Sequence, residues 1–135
     1  MTTKLTSFKQ QITLNTSCEE LYSQIMDAKK HSALTGAEAI IKDKVETAFS
    51  VYGEYAYGKN LELIAGKRIV QTWRAHDDKW PEECMSEVIF EFKKIDNSKS
   101  KIIFTHKNIP AAVAEQFKKG WIDYYWNPLR EMFNK

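Results

Sequence analysis

Cysteine is scarce in this chain of 135 residues: Cys18 and Cys84 stand far apart, form no CxxC pair and have no histidine at metal-ligand spacing. Two reduced thiols are the first expectation, a single disulfide the second, and no metal site is expected. Charge of one sign is lacking too. Lys and Arg number 20 against 18 Asp and Glu, a formal +2, and the lysines are scattered through turns and polar faces. Such a surface is not built to read phosphates, which argues against a nucleic-acid partner. No apolar run reaches the length of a membrane span or a signal peptide, and the opening MTTKLTSFKQQITLNTS is polar. A cytoplasmic protein without a membrane partner is expected. GxSxG, Walker-type and GxGxxG motifs and paired carboxylates are also missing, and His31, His76 and His106 fall in different predicted elements. Catalytic residues and a cofactor are therefore not expected.

What is present is an ordinary globular composition with one excess. Hydrophobic residues make up 43% and charged residues 28%, but aromatics reach 13%. The length suits one domain, residues 1–135, with a core of its own. Phe8, Ile12 and Leu14 share one parity with Gln10 between them, the period of a half-buried strand over 7–14. Ser17 and Glu20 then have the S-x-x-E spacing of a helix start, and Leu21, Tyr22, Ile25 and Met26 repeat at helical spacing. A second short helix, KKHSALTG, is closed by Gly36. From there to Pro110, β-branched and aromatic residues cut by turn signals predict six antiparallel strands, over 37–42, 46–52, 55–63, 67–74, 84–94 and 101–108. Val88, Phe90 and Phe92 share one face, as do Ile102, Phe104 and His106.

The last segment, from Ala111 to Phe133, is the long helix, and it holds the run GWIDYYWNPLREMF. At 100° per residue its apolar side chains cover an arc of roughly 220°, where docking on a core needs about 100°. Gln116, Lys119, Asp123, Asn127 and Arg130 fill the remainder. Either the helix meets walls on both sides, or part of the arc faces a cavity or a partner. Trp121 sits in mid-arc and is expected to be core; Trp126, at the edge, is expected to be a spare exposed aromatic. Pro128 lacks the amide that would bond to the carbonyl of Tyr124, so a kink is expected in the last turns.

One strand, two helices, six strands and a long helix is the order of the helix-grip, or START-like, α+β fold, in which a bent antiparallel sheet, here of about seven strands, wraps the last helix. Within it YGKNLELIAGKRIVQTWR, KWPEECMSEVIFEF, HKNIP and GWIDYYWNPLREMF occur in order after HSALTG. These motifs resemble the C-terminal domain of the activator of heat-shock protein 90 ATPase. The resemblance implies a non-enzymatic co-chaperone module, a monomer or weak dimer, that biases the ATPase cycle of a heat-shock protein 90 chaperone. Trp126, Arg130 and Lys119 are the candidate contacts. An alternative within the same superfamily is a carrier of a small apolar ligand. Its cavity between sheet and helix would be lined by Phe49, Trp73, Phe90, Phe104, His106, Trp121 and Tyr125, with His106 as a polar group at one end.

Overall fold

The computed structural model describes residues 3–134; residues 1, 2 and 135 of the expected domain lie outside that range. Strand β1 (Leu5–Leu14) buries Phe8, Ile12 and Leu14, as their shared parity predicts. Helix α1 (Cys18–Met26) starts where Ser17 Oγ accepts the Glu20 amide at 3.1 Å. Glu20 does not reciprocate as a capping box would; its carboxylate instead accepts from Gln24 and Lys30. Helix α2 (Ala28–Thr35) stops at Gly36, whose φ of 78° is the left-handed cap predicted for it.

Among the described residues the sheet has six strands, one fewer than expected. After β1 come β2 (Ala48–Val51), β3 (Ala56–Ile64), β4 (Arg68–Ala75), β5 (Ser86–Asp96) and β6 (Lys99–Pro110), all antiparallel in the order β1-β6-β5-β4-β3-β2. The missing strand is 37–42. Ala39 and Ile41 are buried and Ile40 is exposed, which imitates a strand's alternation, yet the segment pairs with the sheet only through Ile40 and Ser50. Side chains anchor its far end: the buried Asn60 donates to the carbonyls of Lys42 and Lys44 and accepts from Gln71. The strand expected over 46–52 is shortened at both ends because Glu46 and Tyr52 have φ of 63° and 57°, outside any extended conformation.

Register shifts in β1, β3 and β5 mark bulges, at which strands bend. Gly58 allows a close crossing: a Cβ there would lie 1.8 Å from the carbonyl oxygen of Thr72 on the next strand. Across the sheet lies the C-terminal helix, made of α3 (Ala114–Trp121), a π turn (Ile122–Trp126) and α4 (Asn127–Phe133). The irregularity expected at Pro128 is displaced upstream. Asn127 donates its amide to Ile122, five residues back, so the wide turn is complete before the proline, which sits in the first turn of α4. No helix among the described residues is long and apolar enough to cross a membrane.

Candidate functional site

The inner face of the C-terminal helix meets β4, β5 and β6 through rings. Trp121 lies 4.4 Å from Phe104, 4.6 Å from Tyr125 and 5.4 Å from Trp73, between centroids, and Phe90 lies 5.0 Å from Phe104. Offset and edge-on pairs at such spacings are the favourable ones. The polar tips of Trp121 and Tyr125 have internal partners. Trp121 Nε1 can only donate, so His106 Nδ1 accepts from it at 3.2 Å; His106 Nε2 carries the proton and donates to Ser86 Oγ at 2.8 Å. The Ser86 hydroxyl passes the chain on to the carbonyl of Trp73.

His31 uses the opposite tautomer. Its Nδ1 donates to the Ile25 carbonyl at 2.8 Å, and its Nε2 accepts the Tyr125 hydroxyl at 2.7 Å. Burial disfavours the charged imidazolium, holding His106 down at about 3 and lowering His31 as well. Both rings are neutral struts, and His106, completely buried, faces no solvent-filled space.

Phe49, Trp73, Phe90, Trp121 and Tyr125 thus come together, with Phe104 and His106 packed behind them. The void they share with Ile25, His31, Ile41, Val51 and Gln71 measures only about 10 Å³. That is room for at most one water.

Trp126 is not a spare aromatic. It is 2% exposed, its ring lies 5.2 Å from Phe104, and its Nε1 donates to Gln10 Oε1 at 2.7 Å. The reason is the π turn, whose bonds reach five residues back: each residue in it turns by less than the 100° of an ideal helix, so Trp126 comes round toward the Trp121 side, 6.0 Å from that ring. Gln10 is the signal for it in the sequence, a carboxamide on the apolar parity of β1. It receives Trp126 and donates to the Lys118 carbonyl at 3.0 Å. Lys119 and Arg130 are on the outer face as expected, Lys119 paired with Asp123 at 2.6 Å and Arg130 donating to Asn127.

The appreciable space is outside. A cleft of about 420 Å³ runs between the C-terminal helix and the β2–β3 turn, lined by Tyr52, Tyr55, Gln116, Phe117, Lys119, Gly120, Asp123 and Tyr124. Tyr52 and Tyr124 meet edge-on at 5.1 Å, and Tyr52 donates to the Thr35 carbonyl. Burial pushes the Tyr52 phenol up to about 12, so it stays neutral. No pattern in the sequence singles out the tyrosines of this cleft. A second, more polar depression adjoins the end of β4, where Arg74 donates to the carbonyls of Ala75 and Trp80 and ties down the loop beyond it. Cys18 and Cys84 are free thiols, and among the described residues no three His, Cys, Asp or Glu side chains gather as a metal site.

Fold and motifs now have a family to be set against. The profile described as "Activator of Hsp90 ATPase homolog 1-like protein" matches residues 15–134, nearly the whole chain. The chain belongs to this family. Among curated relatives, the human "Activator of 90 kDa heat shock protein ATPase homolog 1" is 29% identical over 122 residues, covering 90% of this chain and 35% of the human protein. The chain thus spans about a third of the length of the curated relatives it matches. The crystal structure of an HSP90 activator from Plasmodium falciparum superposes with a TM-score of 0.87 at 27% identity, covering 93% of this chain and 94% of that one. The solution structure of an Aha1 dimer from Colwellia psychrerythraea has a TM-score of 0.75 at 17% identity, covering 93% and 95%, a likeness of fold. The α+β helix-grip architecture is therefore common to the activator-like family and this chain.

Proposed function

We propose that this chain is a cytosolic co-chaperone module, monomeric or weakly dimeric, that binds a chaperone of the heat-shock protein 90 class and changes its rate of ATP turnover. The observation that carries the reading is the likeness to the Plasmodium activator, which covers 94% of that chain and 93% of this one. The module performs no bond chemistry of its own. It acts by binding one conformation of the chaperone more tightly than another, and each tenfold preference shifts that equilibrium by about 1.4 kcal/mol. The contact is the outer stripe of the C-terminal helix, where Lys119, Ile122 and Arg130 are exposed. Trp126, the third contact expected from the sequence, has no part in it.

Titrating the protein into the chaperone of its own organism should raise ATP turnover, and Lys119→Glu or Ile122→Asp should weaken the response. No change in rate together with no heat of binding would end the proposal. The alternative, a small apolar ligand held between sheet and helix, has less support, because a void of about 10 Å³ admits no such molecule without opening the core. Native mass spectrometry of freshly purified protein tests it: a bound mass lost on denaturation would revive that reading.

A further inference from the structure

Of the five glycines in this chain, four have a reason in the backbone or the packing. Gly36, Gly53 and Gly66 have φ of 78°, 59° and 71°, and Gly58 faces a carbonyl that no Cβ could approach. Gly120 has neither reason. It is the next-to-last residue of α3, within the continuous C-terminal helix, and a Cβ there would meet nothing within 4 Å. Only proline disfavours a helix interior more than glycine does, so an empty position of this kind works against the helix unless the space is used. That space is the floor of the outer cleft.

Two further irregularities converge on the same place. The turn that supplies Tyr52 and Tyr55 runs through three successive left-handed residues, Tyr52, Gly53 and Glu54, with φ of 57°, 59° and 76°. Side chains other than glycine, asparagine and aspartate resist that conformation, and strain of this sort collects at ligand clamps. Tyr124, which meets Tyr52 edge-on at one side of the cleft, is carried on the π turn, a helix defect frequent at functional sites. A helix-interior glycine, a left-handed turn and a π turn each work against stability, and all three shape one cleft.

We infer that the cleft between the C-terminal helix and the β2–β3 turn binds a neutral, planar aromatic small molecule, seated on Gly120 against Tyr55 and the Tyr52–Tyr124 pair. The walls are rings, which receive another ring by offset or edge-on contact. Neutrality follows from the two charged residues that line the cleft, Lys119 and Asp123, which pair with each other at 2.6 Å. Among the described residues, the hydroxyls of Tyr55 and Tyr124 make no hydrogen bond to protein and are free to meet a polar atom on the ligand. The volume of about 420 Å³ falls within the range usual for small-molecule sites. The cleft shares Lys119 with the outer stripe assigned to the chaperone, but the inference does not depend on that assignment.

The neutral fluorophore N-phenyl-1-naphthylamine is a suitable probe, titrated into the wild-type protein and into Gly120→Leu. Leucine keeps the helix and fills the floor, so the variant should melt at the same or a higher urea concentration. Wild-type protein should show saturable single-site binding, with amide NMR shifts confined to the surroundings of Gly120, Tyr124 and Tyr55. In Gly120→Leu the affinity should fall about tenfold or more. Absence of binding, equal affinity in the two proteins, or shifts centred on Trp121 and Phe90 would overturn the inference.

Discussion

On the inner face of the C-terminal helix, Trp121, Tyr125 and Trp126 are each 5% exposed or less, whereas on its outer face Ile122 and Tyr124 are 39% and 52% exposed. The faces differ less in composition than in how polar tips are answered. Inside, Trp121 donates to His106, Tyr125 to His31 and Trp126 to Gln10, so the rings are fixed in orientation as well as buried. Outside, Tyr124 touches Tyr52 and leaves its hydroxyl to solvent or a ligand. A surplus of aromatics in one helix therefore has two causes here, a closed polar-tipped core and an open cleft, and only the second is available for recognition.

The largest test of this division is truncation of the inner rings. Trp121→Ala and Trp126→Ala should each lower stability by about 3–5 kcal/mol in urea denaturation, since each removes a buried indole and orphans an acceptor. A loss at Trp126 within about 0.5 kcal/mol would mean that it lies on the surface after all. By helical spacing alone, Trp126 reads as the exposed one of the pair.

That discrepancy shows what is legible in the chain. The strands carrying Phe8 and Ile12, or Val88, Phe90 and Phe92, can be read because a period of two survives any tertiary arrangement. Ser17 and Gly36 are readable because helix ends have local chemistry. The segment around Ile40 alternates like a strand but pairs at one residue, and pairing is not a local property. The ends of β2 depend on left-handed Glu46 and Tyr52, residue types that give no warning of that conformation. Trp126 is misplaced when ideal 100° spacing is extended through a π turn. The fold brings the candidate cavity residues together, but no pattern along the chain reveals whether neighbouring rings touch or stand apart. Gly120 is visible in the sequence, and its meaning requires the space beside it.

Next in size is the effect of acid on the inner face. Unfolded histidine titrates near 6.5, and folded His106 is held at about 3. A depressed folded value means that the unfolded chain takes up the proton first, so stability is complete above about pH 6.5 and is lost as pH falls toward 3. By pH 5 the loss from His106 is about 2 kcal/mol. His31, lowered by the same cause, adds to it in the same direction. Urea midpoints measured from pH 7 to 5 should therefore fall steeply in the wild type and less steeply in His106→Gln. Parallel slopes would show that the folded ring takes up a proton as readily as the unfolded one, and the sealed core would be wrong. The cleft has no such group, and probe binding should be flat over that range.

Adjacent tyrosines sharpen the contrast further. Tyr125→Phe leaves His31 Nε2 without its donor in a buried site, which should cost about 1–3 kcal/mol. Tyr124→Phe removes a hydroxyl with no protein partner and should change stability by less than about 0.5 kcal/mol. Equal effects in thermal or urea melts would erase the distinction between the faces at single-atom resolution.

One further effect has the opposite sign. Gly58 and Gly120 both lack a side chain, but Gly58→Ala drives a Cβ into the Thr72 carbonyl, whereas Gly120→Ala adds a methyl group to open space in a helix. The second change should raise stability by about 0.5–1 kcal/mol, the ordinary difference between alanine and glycine in a helix interior. Such a gain, read from urea midpoints, would mean that the fold keeps Gly120 at its own expense. A cleft that must stay open supplies the reason. If Gly120→Ala instead destabilises the protein, some packing need of the core explains the glycine, and the inner and outer faces are not independent.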